Sequence, residues 1–343
     1  MLAWQLDSAF GREHLHLREL EEPAAPGAGE VLLDVLAVSL NYRDLLMVEG
    51  GYDARQPLPL VPCSDAACRV LAVGPGVHGI APGDRVCPLF AQRWLSGPPS
   101  RDKLRSTLGG PLQGTLRQRL VLAATGVVPV PDFLGDAAAA TLPCAALTAW
   151  SALAVEGRVK AGDTVLVLGT GGVAIFALQL AQLLGARVVV TSSSDEKLAR
   201  AHALGAWEGI NYVAEPEWGR RVREVTGGGA DHVVEVGGAG TLAQSLRAVR
   251  PGGTISLIGV LAGNAAPLAV TPILMQQVRL QGILVGHREG FEELLRAVAL
   301  HRLQPVVDRT FPFAEATAAF AHLAAGRHFG KIVVEVTAAP AQG

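Results

Sequence analysis

The sequence contains little cysteine and lacks the common cysteine and histidine patterns of metal sites. Only four cysteines occur in 343 residues, which argues against a disulfide framework and agrees with a reducing compartment. Cys63 and Cys68 are separated by four residues and no C-x-x-C pair follows them, so a zinc ribbon is not expected. The histidines include no H-E-x-x-H sequence. We interpret the cysteines as buried free thiols.

An excess of positive charge and long apolar runs are also missing. The formal net charge is −2, which gives no basic surface for nucleic acid. The N-terminus lacks a charged region followed by an apolar core, and we find no apolar run of the roughly 20 residues that a membrane span requires. Half of the residues are hydrophobic and 17% are charged, as in a globular protein with a large core. We expect a two-domain cytoplasmic protein that binds neither nucleic acid nor membrane.

A glycine turn between an apolar strand and a helix is the most informative segment. Residues 164–168 are apolar or β-branched, as in a strand buried on both faces, and residues 173–184 predict a helix. The turn between them fits G-x-G-x-x-G/A with Gly169, Thr170, Gly171, Gly172, Val173 and Ala174. Such a turn lets backbone approach a pyrophosphate at a helix N-terminus. An ordinary glycine-rich turn is the alternative, but the flanking elements favour a dinucleotide site.

The chain before this turn predicts short strands, and the chain around it alternates strand and helix. The first part has strands at residues 31–40, 65–73, 84–89 and 117–122, a short helix at 41–49 and a long loop at 90–114. Helix begins near Asp136. Further strands at 164–168, 187–191, 232–236 and 254–258 alternate with helices at 173–184, 195–204 and 241–249. This alternation predicts a parallel sheet with helices on both faces.

The tail completes the domain organisation. Helices at 291–301 and 313–325 and a strand at 331–336 have no evident core of their own, so we expect them to return to the first domain. The expected domains are residues 1–130 with 286–343, and residues 131–285. A strand at residues 278–285, beginning at Val278 and ending at Val285, is expected at the sheet edge, where it could form a homodimer.

Four motifs resemble those of the medium-chain dehydrogenase/reductase superfamily. They are LNYRDLL at residues 40–46, VGPGV at 73–77, PGDRV at 82–86 and LPCAALTAW at 142–150. The resemblance covers nearly the whole chain and is strongest to the zinc-independent quinone oxidoreductase and alcohol dehydrogenase-like branch. It implies an α/β fold with a β-rich GroES-like catalytic domain and an inserted Rossmann domain with a doubly wound parallel sheet.

The positions of the catalytic zinc ligands depart from the pattern of the zinc enzymes. Asn41 matches the first cysteine, Ser64 the histidine and Asp65 the glutamate, whereas Cys144 alone keeps its type. The loop at 90–114 contains no cysteine for a structural zinc. One thiol cannot provide a site with three protein ligands, so no zinc is expected. A zinc enzyme with an unusual ligand set, drawn from Cys144, Asp65 and Cys63, is the alternative.

Without zinc, hydrogen-bond donors would have to polarise the substrate. The resemblance places Asn41 beside the nicotinamide; its alternative role is to cap the short helix that follows it. Tyr42 and Tyr52 are candidate donors of a hydrogen bond or a proton, although packing is the more common role of a tyrosine. Trp94, in the long loop, is a candidate wall of the substrate pocket or a core residue. Arg43 and Asp44 are expected to be solvated.

The end of the second Rossmann strand bears on the choice of cofactor. An acid there would bind the adenosine ribose and repel a 2′-phosphate, but the sequence has Ser192 at this position. Ser192, Ser193 and Lys197 could bind the phosphate of NADPH, which we favour over NADH. In the alternative, Ser194 caps the next helix and Lys197 is solvated.

Other cofactor contacts follow from the resemblance alone. It assigns Thr148, the turns containing Gly237, Gly259 and Val260, and the basic position of Lys331 to the cofactor. Lys331 would meet the pyrophosphate, and its alternative is a surface lysine before a strand.

These expectations predict a zinc-independent oxidoreductase that transfers hydride from NADPH to an activated C=C or C=O group. The acceptor would be a quinone, an enone, an aldehyde or a ketone. A zinc-dependent alcohol dehydrogenase and a non-catalytic NADPH-binding protein are the alternatives.

Overall fold

The computed structural model describes residues 1–336, which divide into two compact units. The first unit consists of Met1–Leu147 and the chain from Gly286 onward, and the second is Thr148–Val285. The second unit is thus an insertion in the first, as the sequence predicts.

The secondary structure consists of strands, helices and short 3₁₀ or π-helical turns. The strands are β1 (Leu2–Leu6), β2 (Leu15–Glu19), β3 (Glu30–Leu40), β4 (Asp65–Val73), β5 (Arg85–Pro88), β6 (Arg119–Ala123), β7 (Val127–Pro129), β8 (Thr164–Leu168), β9 (Arg187–Ser192), β10 (Glu208–Asn211), β11 (Ala230–Glu235), β12 (Val249–Leu257), β13 (Arg279–Gly282), β14 (Val307–Pro312) and β15 (Lys331–Glu335). The helices are α1 (Tyr42–Val48), α2 (Arg101–Leu104), α3 (Asp136–Ala139), α4 (Leu147–Trp150), α5 (Gly172–Leu183), α6 (Asp195–Ala203), α7 (Trp218–Thr226), α8 (Leu242–Ala248), α9 (Thr271–Met275), α10 (Arg288–His301) and α11 (Ala316–Ala324).

The second unit is a parallel six-stranded sheet in the order β10-β9-β8-β11-β12-β13. The strand order reverses between β8 and β11, and this is the point at which open α/β sheets bind dinucleotides. Every residue of β8 is buried, because helices cover both faces of a parallel sheet. The predicted Rossmann fold is confirmed.

The first unit is built around a seven-stranded sheet. Its order is β14-β15-β3-β4-β5-β7, with β6 also paired to β3. In β3, partly buried residues alternate with buried ones over its first seven positions, so one face of the strand enters the core. β15 pairs antiparallel to β3 and parallel to β14, so the tail does return to this unit.

The boundary before Gly286 lies where the sequence predicts it. The other boundary follows Leu147, whereas the expected one follows residue 130. Residues 131–147 stay with the first unit because several contacts hold them there. Arg85 donates a hydrogen bond to the Leu134 carbonyl, and the Cys144 amide donates to Asp65.

One stretch of helix, Asp136–Val155, is long and apolar enough to cross a membrane, contrary to our expectation that no such run exists. However, 72% of its apolar window is buried inside the protein, and core helices pass the same test of length and composition. Two π-helical turns, Leu142–Ala146 and Ser151–Val155, interrupt its α-helical segments.

Several elements differ from the sequence predictions. The expected edge strand at 278–285 is reduced to β13, which does lie at the edge of the sheet. The sequence predictions did not include β1, β2, β7, β10, β14, α2, α7 or α9. β10 has four residues, of which one is glycine and one asparagine, so it gives no apolar signal.

Candidate functional site

The glycine turn after β8 has the backbone geometry of a phosphate site. Gly169 has a φ of 77°, which favours glycine, and its amide donates to the Thr191 carbonyl at 2.9 Å. Gly171 precedes the first turn of α5, a helix of 12 residues. The first amides of a helix have no acceptor within it and they carry the positive end of its dipole. Thr170 is buried in the turn, and Val173 lies in the first turn of the helix. This end of α5 can bind a pyrophosphate.

The serines after β9 form a helix cap, and they also remain candidates for a phosphate contact. Ser194 caps α6, because its hydroxyl accepts from the Lys197 amide at 3.3 Å. Ser192 is the last residue of β9 and is buried, and its hydroxyl accepts from the Ser194 amide at 3.2 Å. Ser193 is exposed. The capping alternative is therefore present in the structure, while binding of a 2′-phosphate remains a prediction.

A buried carboxylate that the sequence analysis missed organises the turn after β11. Glu235 accepts hydrogen bonds from the amides of Gly237 and Gly238, at 2.7 and 3.0 Å, and from the hydroxyls of Thr241 and Ser245. All of these donors come from the segment that follows the strand. The sequence signal for this turn was an acid directly before V-G-G, with hydroxyl residues six and ten positions after the acid.

The turns after β11 and β12 lie against each other. An added Cβ on Gly259 would lie 2.4 Å from the Val236 carbonyl oxygen, and one on Gly238 would lie 2.8 Å from the Gly259 carbonyl oxygen. Val260 is 43% exposed beside this contact. Both turns stand at the carboxyl ends of parallel strands, where the resemblance assigns cofactor contacts. Thr148 is buried elsewhere in this unit.

In the first unit, Asn41 links β3 to α1, and its side-chain amide lies between Lys331 and Asp65. Its backbone amide donates to the Asp44 carboxylate at 2.9 Å, so the turn is part of the helix cap. Its Oδ1 accepts from Lys331 Nζ at 2.5 Å. Its Nδ2 is buried without a hydrogen bond of normal geometry to residues 1–336. A buried polar group of this kind is rare and indicates a place for a ligand.

Lys331 is buried beside Asn41. It begins β15, and its Nζ donates to the Leu40 carbonyl at 2.7 Å as well as to Asn41. The Asp65 carboxylate lies 4.0 Å from the same nitrogen. The side chain is 3% exposed, so the alternative of a surface lysine is wrong. Its proposed contact with a pyrophosphate remains a prediction.

Asp65 is the third member of this buried group of polar side chains, beside Asn41 and Lys331. It accepts from the Ser64 hydroxyl at 3.1 Å and from the Cys144 amide at 3.3 Å. The pKa of Asp65 is raised to about 6, because the effect of burial exceeds the opposing effects of Lys331 and the Asn41 amide. Burial also raises the pKa of the Cys144 thiol.

These donors do not fit a catalytic zinc. The four positions carry an amide, a hydroxyl, a carboxylate and one thiol, and a lysine lies among them. Zinc prefers thiolate, imidazole and carboxylate ligands, and residues 1–336 contain no group of three such side chains able to hold a metal ion.

The aromatic candidates fall in different surroundings. Tyr42 and Tyr52 are 39% and 43% exposed, and the Arg43 guanidinium lies 4.9 Å from the centre of the Tyr52 ring. Trp94 is buried, donates to the Gly97 carbonyl at 2.9 Å and packs against His287. Its role as a substrate wall remains a prediction, as do the catalytic roles of both tyrosines.

Arg43 and Asp44 are buried, so the expectation that they are solvated is wrong. Their side chains are paired at 3.1 Å. Arg43 also donates to the carbonyls of Leu108 and Gly110, which anchors part of the long loop to α1. The sequence places the loop far from α1 along the chain and gave no signal for this contact.

Comparisons with known proteins agree with this architecture. The model of the alcohol dehydrogenase GroES-like domain matches residues 27–132, and that of the zinc-binding dehydrogenase matches residues 172–299. A zinc-type alcohol dehydrogenase-like protein of Schizosaccharomyces pombe is 41% identical over 96% of this chain and 97% of its own. The chain belongs to the medium-chain dehydrogenase/reductase superfamily. It is an NAD(P)-dependent oxidoreductase of the alcohol dehydrogenase-like kind.

Other members of the superfamily differ in cofactor and substrate. The structure of an NAD-dependent alcohol dehydrogenase has a TM-score of 0.90 at 34% identity and covers 98% of this chain and 100% of its own. A mycobacterial protein complexed with NADPH has a TM-score of 0.82 at 29% identity, with coverage of 98% and 100%. An acryloyl-coenzyme A reductase of Metallosphaera sedula is 29% identical over 94% of this chain and 97% of its own.

Proposed function

We propose that this chain is a zinc-independent, NADPH-dependent oxidoreductase that reduces an activated C=C or C=O group of a quinone, enone, aldehyde or ketone. The observation that carries the proposal is the amide of Asn41. Its oxygen is held by Lys331, and its buried N–H group faces Asp65 without a hydrogen bond of normal geometry in residues 1–336. A fixed donor of this kind can stabilise the negative charge that develops on an acceptor oxygen.

Each unit supplies a distinct part of the proposed chemistry. NADPH supplies the hydride when it is bound. The N-terminus of α5 binds the pyrophosphate through its free amides, and Glu235 fixes the turn after β11. Asn41 donates a hydrogen bond to the acceptor oxygen. Tyr42 and Tyr52, which are partly exposed, are the candidates to donate a proton at the end of the reaction.

The known relatives support a reductase without fixing the acceptor. One relative is named for the reduction of acryloyl-coenzyme A, whose C=C bond is activated by a thioester carbonyl. That acceptor belongs to the same chemical class as the enones proposed here. One structural relative is complexed with NADPH and another is NAD-dependent, so our preference for NADPH depends on the absence of an acid at Ser192.

Activity assays can test the proposal directly. The purified protein is mixed with NADPH or NADH and with a panel of quinones, enones and aldehydes, and nucleotide oxidation is followed by absorbance. We expect at least one acceptor to be reduced with NADPH, and activity to persist after treatment with a chelator. Asn41→Leu, which removes the donor, should reduce kcat about 100-fold. Failure of every acceptor would argue against the proposal.

Two alternatives make different predictions in the same experiments. A zinc-dependent alcohol dehydrogenase is suggested by the description of the matching family as zinc-binding. It requires stoichiometric zinc in protein purified without added metal, and loss of activity with a chelator. A non-catalytic NADPH-binding protein would bind NADPH tightly and reduce no acceptor.

We also propose that the protein is a cytoplasmic homodimer formed through β13 and the adjacent surface of the second unit. β13 is an edge strand, and an unpaired edge is a template for pairing with a second copy. In α9, Leu274 and Met275 are 75% and 74% exposed, which indicates a surface that another protein covers. Four buried cysteines that form no disulfide bond agree with a reducing compartment. No nucleic acid or membrane partner is part of this proposal.

A further inference from the structure

We propose that Lys331 is a positioning residue that fixes the orientation of the Asn41 side-chain amide. The inference rests on the proposed function, because Asn41 is the donor in that proposal. Lysine has donors and no acceptor, so its contact with Asn41 at 2.5 Å is satisfied only by Oδ1. The NH₂ group of Asn41 must then face away from Lys331. The lysine thereby determines which side of the amide donates, and Asp65 lies on that side.

Lys331 is itself held in place from two other directions. Its Nζ donates to the Leu40 carbonyl at 2.7 Å, and the Asp65 carboxylate lies 4.0 Å away. Leu40 directly precedes Asn41 in the chain, so the ammonium binds the backbone and the side chain of the same turn. Pairing of β15 with β3 fixes the distance, since Ile332 is the register partner of Leu40. An amide held in this way needs no reorganisation when charge develops on the acceptor.

The role differs from the pyrophosphate contact expected from the sequence, and the two can be separated by a Lys331→Met variant. If Lys331 positions Asn41, kcat falls about 10–100-fold while the Kd for NADPH stays within about twofold. If Lys331 binds the pyrophosphate, the Kd for NADPH rises and the inference is overturned. Lys160→Met is the matched control, because Lys160 is exposed and lies outside the proposed site.

A double-mutant cycle tests whether Lys331 acts through Asn41. We expect Lys331→Met to lower kcat in the wild-type background and to have little further effect in Asn41→Leu. Additive losses in the double variant would contradict the inference. Lys331→Arg, which keeps the charge and the donors, should recover part of the activity. Because Lys331→Met leaves Asp65 without its ammonium, the cycle is repeated in Asp65→Asn, where both charges are absent and folding is less at risk.

A spectroscopic measurement tests the inference without any acceptor. The sequence has only three asparagines, Asn41, Asn211 and Asn264, so selective ¹⁵N labelling of asparagine side chains gives three NH₂ groups. The Asn41 signal is assigned by its loss in Asn41→Leu. It should shift in Lys331→Met and stay in place in Lys160→Met. An unchanged signal in Lys331→Met would overturn the inference. If the wild-type protein reduced no acceptor, the proposed function would fail while this measurement still decided the role of Lys331.

Discussion

Replacing Asp65 with asparagine tests whether the protonation of this buried carboxyl makes the stability of the first unit depend on pH. The pKa of Asp65 is raised from its usual value of 3.8 to about 6, chiefly by burial and also by the nearby Asp44 carboxylate. Lys331, the nearby NH₂ group of Asn41 and the hydrogen bond from Ser64 act in the opposite direction. The folded state therefore binds the Asp65 proton more tightly than the unfolded state does. Its contribution to stability is present at acid pH and is lost as the pH rises from about 4 to about 6.

The size of this loss of stability follows from the pKa values of Asp65 in the folded and unfolded states. They differ by about 2, which corresponds to about 3 kcal/mol. The unfolding free energy of the wild-type protein minus that of Asp65→Asn should fall by up to about 3 kcal/mol between about pH 4 and pH 7. In this difference, the contributions of the other carboxylates to the pH dependence cancel, because both proteins contain them. The absolute stability of the variant can change in either direction, because Lys331 loses its counter-charge; only the slope with pH is predicted.

Thiol labelling offers a direct assay of this unit. All four cysteines are buried and belong to the first unit: Cys63, Cys68, Cys87 and Cys144. Protein equilibrated in urea is pulsed with a dithiodipyridine, which reacts with exposed thiols at acid pH as well. The labelled fraction gives the unfolding free energy of that unit at each pH. Asp132→Asn, at an exposed position, is the control and should show no such slope. A difference between wild type and Asp65→Asn that is constant or rises with pH would refute the reasoning.

Three further substitutions test the cofactor site and the dimer. Ser192→Asp should lower kcat/KM with NADPH about 100-fold and spare NADH, because two unit charges about 5 Å apart repel by about 3 kcal/mol; unchanged preference would remove the phosphate assignment. Glu235→Gln should weaken NADPH binding in calorimetry and lower stability by about 1–3 kcal/mol, since glutamine keeps one acceptor oxygen but replaces the other, and the negative charge, with an NH₂ donor; equal affinity and stability would contradict that role. Leu274→Glu should convert dimer to monomer in light scattering, whereas Leu300→Glu, equally exposed in the first unit, should not. A monomeric wild type would end the dimer proposal.

Local patterns predicted the Rossmann unit well. β8 is an apolar run bounded by Asp163 and Gly169, and its bounds agree with the sequence prediction. α5 and α6 agree to within one residue at each end, because the glycine turn and the Ser194 cap mark where they begin. The short polar strand β10 left no such signal, and only its pairing with β9 makes it a strand.

The candidate site was harder to predict because its side chains come from distant parts of the chain. Asn41 and Asp65 could be singled out because they stand where zinc enzymes have ligands. The burial of Lys331 could not, because it depends on β15 pairing with β3 across nearly 300 residues. The same is true of Arg43, whose partners include carbonyls of the long loop. From the sequence alone, a lysine or an arginine is expected at the protein surface, because these residues are rarely buried without a partner.

The charges of the buried side chains around Asn41 give a second argument for the metal-free proposal, in addition to the missing zinc ligands. Arg43 pairs with Asp44 at 3.1 Å, and Lys331 lies 4.0 Å from Asp65, so two buried cations face two buried carboxylates. A zinc ion bound to Asp65 and Cys144 would add two positive charges beside the Lys331 ammonium, and only one new negative charge could come from the thiol. Like charges at such distances are costly in a buried site. In the proposed function, the lysine provides a fixed positive charge in place of a metal, and it acts on the acceptor through the Asn41 amide.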